Sequence, residues 1–368
     1  MVVARTRLSH IDGEAGRLAY GGYSIEDLAE HATFEEVAYL LWHGELPGRA
    51  ELDALRAQIG DALSLDGPVL QVVRSAPEKA HPMAVLRTAV SALGMLDPDA
   101  EDMSEAANLR KAVRLTAQLP VMTAAIDRTR GGREPVQPRP EDGIAANFLR
   151  MLTGEDPDPD RARVLDVALI LHAEHGMNAS TFSARVTIAT LSDLYSAVTS
   201  AIGTLKGPLH GGANQRVMGM LQEIGEPDRA ESWIQDALGR NQKIMGFGHR
   251  VYRALDPRAP ILRDLARGLA RDDESKWLRI SDRIVEVMET EMQKRDKKIY
   301  PNVDFFSASV YRTLGIPMDL FTNVFACARV AGWTAHAMEQ LADNRLIRPR
   351  AEYAGPAERT VKPIDQRS

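Results

Sequence analysis

Thirteen residues, Gly246 to Arg258 (GFGHRVYRALDPR), place the imidazole of His249 beside Arg250, Arg253 and Arg258. Gly248 carries no side chain that would keep a ligand away from His249. Asp256 can cap a helix and Pro257 suits its first turn. Arg258 then stands where backbone N–H groups and the helix dipole already favour an anion. The segment therefore offers proton transfer next to a pocket for something acidic. Read alone, it is equally a loop-to-helix junction with a surface arginine cluster.

Other stretches carry further chemistry. His172 and His175 in LHAEHGMN stand three apart, a spacing that predicts one helix face with Glu174 between them. Such a pair can ligate metal or form a hydrogen-bonded core pair, and with no third ligand at helical spacing the core pair is favoured. His210 in GPLHGGAN precedes a helix predicted to begin at Ala213-Asn214. There the dipole would keep the ring neutral, able to donate to a carbonyl oxygen, unless it is a plain turn residue. Asp304 in YPNVD reads either as a helix N-cap or as a carboxylate base turned into a cleft. Arg329 sits in FACARVAGW with Phe325 and Trp333 four residues to either side. A guanidinium buried there needs an anion, from the protein or from a ligand. Arg348, in RLIRPR, has a similar apolar-then-proline setting or a surface role.

The elements that must position these residues read as helices almost throughout. Thr33 and Glu36 form a capping-box pattern ahead of Val37, Leu40 and Leu41, stopped by Gly44 and Pro47. Helical spacing recurs near 84–95, 104–127, 161–175, 192–205, 213–224, 229–240, 259–270, 277–294 and 318–342, and an apolar helix spans Phe305 to Leu314. The best strand candidate is Arg17–Gly21. Proline-rich stretches from Gly131 to Gly143 and from Gly154 to Asp160 read as surface connections. The Ala-, Ser- and Thr-rich Ser192–Gly207 permits close helix approach, within the chain or between subunits. The fold class is all-α.

With 368 residues, two or three domains are expected. Lys+Arg 45 against Asp+Glu 51 gives a net charge of -6, so no general affinity for nucleic acid is implied and any basic site is local. The single cysteine, Cys327, leaves no internal disulfide and fits a reducing compartment. No apolar run suits a membrane span, and no secretory leader is visible, so a cytoplasmic location is expected.

In order along the chain, HAEHGMNAST, GPLHGGAN, GFGHRVYRALDPR, YPNVDFFS and NRLIRPRAEYAG resemble the corresponding segments of citrate synthases. The early IDGEAGRLAYGGYSIEDLAE, FEEVAYLLWHGELP and HPMAVLRTAVSALG are similar to the shorter prokaryotic form of that family. The likeness runs from about Ile11 to Pro356. It implies an all-α, two-domain subunit: a large helical domain of residues 1–212 and 316–368, and a smaller mobile one of 213–315. It also implies a homodimer binding oxaloacetate and an acyl-CoA, which condenses acetyl-CoA with oxaloacetate to citrate and CoA.

By motif, the resemblance makes His210 the group that polarises the thioester carbonyl, His249 the acid toward the oxaloacetate carbonyl, and Asp304 the base. His175, Arg258, Arg329 and Arg348 would hold oxaloacetate, Arg348 reaching across the dimer interface. Arg253, with Arg295 and Lys297, would contact CoA. The family often has Asp-His-Glu where this chain reads Glu174-His175-Gly176, which leaves the bonding around His175 open.

The chemistry agrees with such roles. A thioester α-proton is so weakly acidic that a carboxylate removes it only while a donor stabilises the forming enolate. The ketone needs a second, separate donor as carbon attacks. A dianionic substrate suits arginine forks, and no metal or redox cofactor is required. Propionyl-CoA as substrate, giving 2-methylcitrate, is the alternative within this chemistry. A helical binding protein is the alternative outside it, with no need for His210, His249 and Asp304 together.

Overall fold

The structure, a computed structural model, describes residues 3–269 and 275–367. It opens with a small antiparallel sheet of β1 (Ser9–Asp12), β2 (Arg17–Tyr20) and β3 (Tyr23–Ser24). β2 is the strand expected at Arg17–Gly21. Its neighbours β1 and β3, four and two residues long, are too short to show alternation. Sixteen α-helices make up most of the rest of the described residues. First come α1 (Ile25–His31), α2 (Phe34–His43), α3 (Arg49–Ala62), α4 (Gly67–Ser75), α5 (Pro82–Leu96) and α6 (Glu105–Arg130). Then follow α7 (Ile144–Thr153), α8 (Pro159–Ala173), α9 (Ala179–Ile188), α10 (Leu194–Leu205), α11 (Ala213–Ile224) and α12 (Ala230–Gly239). The last are α13 (Arg258–Leu269), α14 (Ser275–Lys294), α15 (Val303–Thr313) and α16 (Phe321–Ala342).

Local chemistry accounts for the boundaries that matter. α2 starts on the expected reciprocal cap, in which the Thr33 backbone donates to Glu36 Oε2 at 2.8 Å and Glu36 N donates to Thr33 Oγ1 at 3.4 Å. α8 stops at Ala173, because Glu174 turns to extended backbone (φ -144, ψ 152) and Gly176 follows at φ +57. His172 and His175 therefore do not share a helix face as their spacing suggested: one is inside α8 and the other is beyond its end. α9 is short and built of small, polar and β-branched residues, so it shows no strong apolar period.

α16 organises the interior. Phe321, Val324, Ala328 and Ala331 belong to a large apolar cluster with α1, α2, α8, α11, α13, α14 and α15. Phe325, Cys327, Val330 and Trp333 belong to a second cluster with α4, α5, α6, α9 and α10. A helix apolar on all sides is one buried on all sides, and this puts Arg329 at 2% exposure in the middle of the molecule. The small-residue stretch of α10 packs on α9 and α5, so much of it serves the intrachain core. No helix among the described residues is long and apolar enough to cross a membrane.

Candidate active site

Two backbone segments are stitched together to form the floor of the site. Gly248 N donates to Tyr300 O at 2.8 Å, and Asn302 N donates to Gly246 O at 2.9 Å. Asn302 Nδ2 donates to Gly248 O at 2.8 Å. Gly246 takes φ +78, and a Cβ there would lie 2.8 Å from the Cβ of Phe305, so only glycine lets this loop lie on α15.

Asn302 also caps α15, its Oδ1 accepting from Asp304 N at 3.0 Å. The cap is therefore Asn302, and the N-cap reading of Asp304 gives way: its carboxylate is free of that duty. Asp304 as a residue is half-buried, but its Oδ1 is fully enclosed and has no hydrogen-bond partner. Burial pushes its pKa up from 3.8 to about 6, against the pull of Arg258 and Arg329.

The two catalytic histidine candidates have opposite tautomers set by backbone donors. Val251 N and Tyr252 N both donate to His249 Nδ1, each at 3.1 Å, so Nε2 carries the proton. Ser180 N, in the first turn of α9, donates to His210 Nε2 at 3.2 Å, so its proton sits on Nδ1. A backbone N–H is only ever a donor, which gives both assignments, and the Ser180 hydroxyl, 2.8 Å from His210 Nε2, is then a second donor to that nitrogen. The N–H that meets His210 thus comes from the first turn of α9, while α11 starts at Ala213 just after the ring, as the sequence suggested. Burial lowers the pKa of each ring to about 4, with Arg329 adding to the effect at His210 and Arg258 at His249. Both are neutral donors over the ordinary pH range.

His175 Nε2 lies 3.2 Å from the Tyr252 hydroxyl, and its ring centroid is 5.3 Å from that of His249. Burial, then Arg258 and Arg329, hold its pKa well below the usual value. Arg258 is gripped by Asp256 through two bonds, Nε to Oδ1 at 2.9 Å and Nη2 to Oδ2 at 2.8 Å. Asp256 also accepts from Arg258 N at 3.1 Å, as a capping residue should, and from Val303 N at 3.2 Å. One carboxylate thus ties the Arg258 helix to the start of the Asp304 helix and matches the Arg258 charge.

Arg329 is different. Its Nε donates to His172 O at 2.6 Å, and its guanidinium lies 4.8 Å from the Phe325 ring centroid. Among the described residues it has no carboxylate within 4.0 Å, and burial pulls its pKa down to about 10. Its field reaches His210, His175 and Asp304 alike, and the buried carboxylates of Glu174 and Asp304 offset its charge from a distance without pairing with it.

Beside His249 opens a cleft of about 750 Å³. The expected Arg253, Arg295 and Lys297 line it, Arg295 held to Glu291 at 3.2 Å. Lys243, Arg250 and Lys298 line it too and escaped the sequence reading, because exposed basic residues carry no motif of their own. Arg348 is exposed beyond α16 and makes no hydrogen bond or ion pair among the described residues, so this chain alone does not bring it to the site.

Tyr252, Asp256, Ser180 and Asn302 were also missed as site-forming groups. Tyr252 and Asp256 lay in view within GFGHRVYRALDPR, but only geometry shows what they grip. His172 bonds through Nδ1 to Ala168 O at 2.7 Å and is buried outright. It belongs to the interior of α8, and among the described residues no cluster of three His, Cys, Asp or Glu side chains is placed to hold a metal ion. Burial drives the Cys327 thiol up to about 12, which leaves it without nucleophilic character.

Comparison with known proteins sets this arrangement among helical acyltransferases. The family profile described as "Citrate synthase, C-terminal domain" matches residues 1–350. The chain is 52% identical to citrate synthase 2 of Bacillus subtilis, covering 95% of this chain and 94% of that one. It is 46% identical to 2-methylcitrate synthase 1 of Corynebacterium glutamicum, covering 99% and 96%. Among solved structures it is similar to a ternary complex of citrate synthase from Thermoplasma acidophilum with carboxymethyl coenzyme A and oxaloacetate. The TM-score is 0.94 and the identity 35%, over all of this chain and 97% of the other. The chain belongs to the citrate synthase family.

Proposed function

We propose that this protein condenses acetyl-CoA with oxaloacetate and hydrolyses the resulting thioester to citrate and free CoA. Asp304 takes a proton from the acetyl methyl group while His210, through Nδ1–H, donates to the thioester oxygen and steadies the enolate. The enolate carbon attacks the oxaloacetate ketone, whose oxygen receives the proton of His249 Nε2. Water then cleaves the thioester. Preorganised donors of this kind are each worth several kcal/mol in a site closed to water, and holding both reactants removes a large entropic barrier. The scheme uses no metal or redox cofactor, because every charge that develops has a donor.

The observation that carries the reading is Arg329. Its guanidinium is buried and forms no direct ion pair with a described carboxylate, Glu174 and Asp304 acting on it only from a distance, and a substrate carboxylate would supply the missing direct partner. Arg258 and His175 complete the oxaloacetate site, and Arg348 of a second subunit supplies a further carboxylate anchor in a cytoplasmic homodimer. Arg253, Arg295 and Lys297 take the CoA phosphates in the cation-lined cleft.

A second reading has a specific support: the close relative named 2-methylcitrate synthase points to propionyl-CoA as a competing acyl donor. One methylene is worth only about 1–3 kcal/mol in an apolar pocket. The test is a competition with equal acetyl-CoA and propionyl-CoA and limiting oxaloacetate, with products separated by mass. Citrate in excess supports the main reading, and methylcitrate in excess reverses the preference.

A further inference from the structure

The β1–β2 hairpin does no chemistry, yet it holds both histidine-bearing loops. At its turn, Gly13 O accepts from Arg253 N at 2.8 Å. A Cβ on Gly13 would stand 2.4 Å from Val251 O, and one on Gly16 would stand 2.7 Å from Leu255 O. The turn and the Val251–Leu255 backbone are therefore interlocked, main chain against main chain. The turn is itself braced: Asp12 accepts from Ala15 N at 2.9 Å and from Arg17 at 2.9 Å.

At the other end of β1, Ser9 Oγ donates to Glu174 Oε1 at 2.9 Å and accepts from Gly176 N at 3.2 Å. Tyr20, paired with Ser9 across the strands, donates to Glu174 O at 2.7 Å. Ile11 Cδ1 lies 3.1 Å from where a Gly176 Cβ would be. The residues on both sides of His175 are thus fixed to one end of the hairpin. The segment just after His249, including Tyr252, is fixed to the other end. Between them lie the His175–Tyr252 bond and the 5.3 Å approach of His175 to His249.

We propose that this hairpin is a clasp that sets the spacing of His175 and His249, with Gly13 and Ser9 as positioning residues. Neither touches a reacting atom; each acts through the loop it holds. The proposal rests on the functional reading above. It adds that the N-terminal hairpin belongs to the active site.

Gly13→Ala keeps the accepting carbonyl and places a methyl where Val251 O must move by about 1 Å, a misplacement that costs on the order of 100-fold in kcat. Ser9→Ala removes the strand's hold on the Glu174 carboxylate and Gly176 N, which keep their bonds to each other and to His336, and it raises the oxaloacetate KM several-fold while leaving the acyl-CoA KM unchanged. Gly22→Ala is the control, because Gly22 has φ +93 in the β2–β3 turn with open space around it. It strains the same sheet without touching either loop, and keeps kcat within about threefold of the wild type.

Hydrogen exchange of the Arg250–Asp256 peptide reads the clasp independently of activity, and should quicken in Gly13→Ala and not in Gly22→Ala. Unchanged exchange in Gly13→Ala overturns the proposal, as does equal kcat loss in Gly22→Ala or a parallel rise of both KM values in Ser9→Ala. A wild-type enzyme that releases no CoA would sink the functional reading instead, while the exchange data would still judge the clasp.

Discussion

Asp304→Asn should make the protein more stable and nearly inactive at once. In the fold the carboxyl group has a pKa of about 6, against 3.8 when free, because enclosure disfavours its charged form. At about 1.36 kcal/mol per pH unit, keeping it ionised above pH 6 costs the native state about 3 kcal/mol. The sign follows from the raised value. The penalty is absent below about pH 3, where the carboxyl is protonated folded or unfolded. It grows from there to about pH 6 and is full above that. Asparagine fills the same space without the charge, so the variant should gain up to about 3 kcal/mol at pH 8 and less than about 1 kcal/mol at pH 4. Loss of the base should lower kcat by about 10²–10⁴-fold. Urea unfolding of both proteins at pH 4, 6 and 8, beside steady-state rates at pH 8, checks this. A variant less stable than wild type at pH 8, or a difference that does not change with pH, would refute the view that Asp304 is a destabilised, desolvated base.

Three further outcomes are expected. The rate should fall tenfold per pH unit below about pH 6 as Asp304 takes up its proton, with no separate imidazole step above pH 5, because both histidine pKa values lie near 4; a pH profile of kcat/KM shows whether it does. Arg329→Gln removes the buried charge and should weaken oxaloacetate binding by at least 100-fold, about 3 kcal/mol by titration calorimetry, with the fold kept; unchanged affinity would reassign the buried cation. Arg348→Ala mixed with Asp304→Asn should regain about one quarter of wild-type activity, because half of the mixed dimers are hybrids and each has one intact site. No recovery on mixing would place Arg348 outside the partner's site.

Much of this was legible in the residues, and the rest depended on contacts between distant segments. α16 and α6 announce themselves through long apolar patterns, and the Thr33–Glu36 cap marks the start of α2. His249, His210 and Asp304 stand out because glycine and proline surround them. The tautomers of the two rings do not, since they are decided by Val251, Tyr252 and Ser180 backbone donors, and for His210 the donor comes from thirty residues away. The capping role expected of Asp304 went to Asn302, two positions earlier, because either side chain can reach a first-turn N–H. The three-residue spacing of His172 and His175 reads as one helix face, but Glu174 turns extended and α8 ends at Ala173, a break that only Gly176 signals in the sequence. Arg258 looked like a free anion site, while its neighbour Asp256, also read as a cap, already holds it.

Thiol release from acetyl-CoA by the wild-type protein, measured with and without oxaloacetate, decides whether the three segments form a condensing site. Release should require oxaloacetate, yield one citrate per thiol, and vanish in His210→Ala, His249→Ala and Asp304→Asn while each variant stays folded. Release that ignores oxaloacetate, or that survives loss of Asp304, would contradict the proposal that these three distant segments form one condensing site.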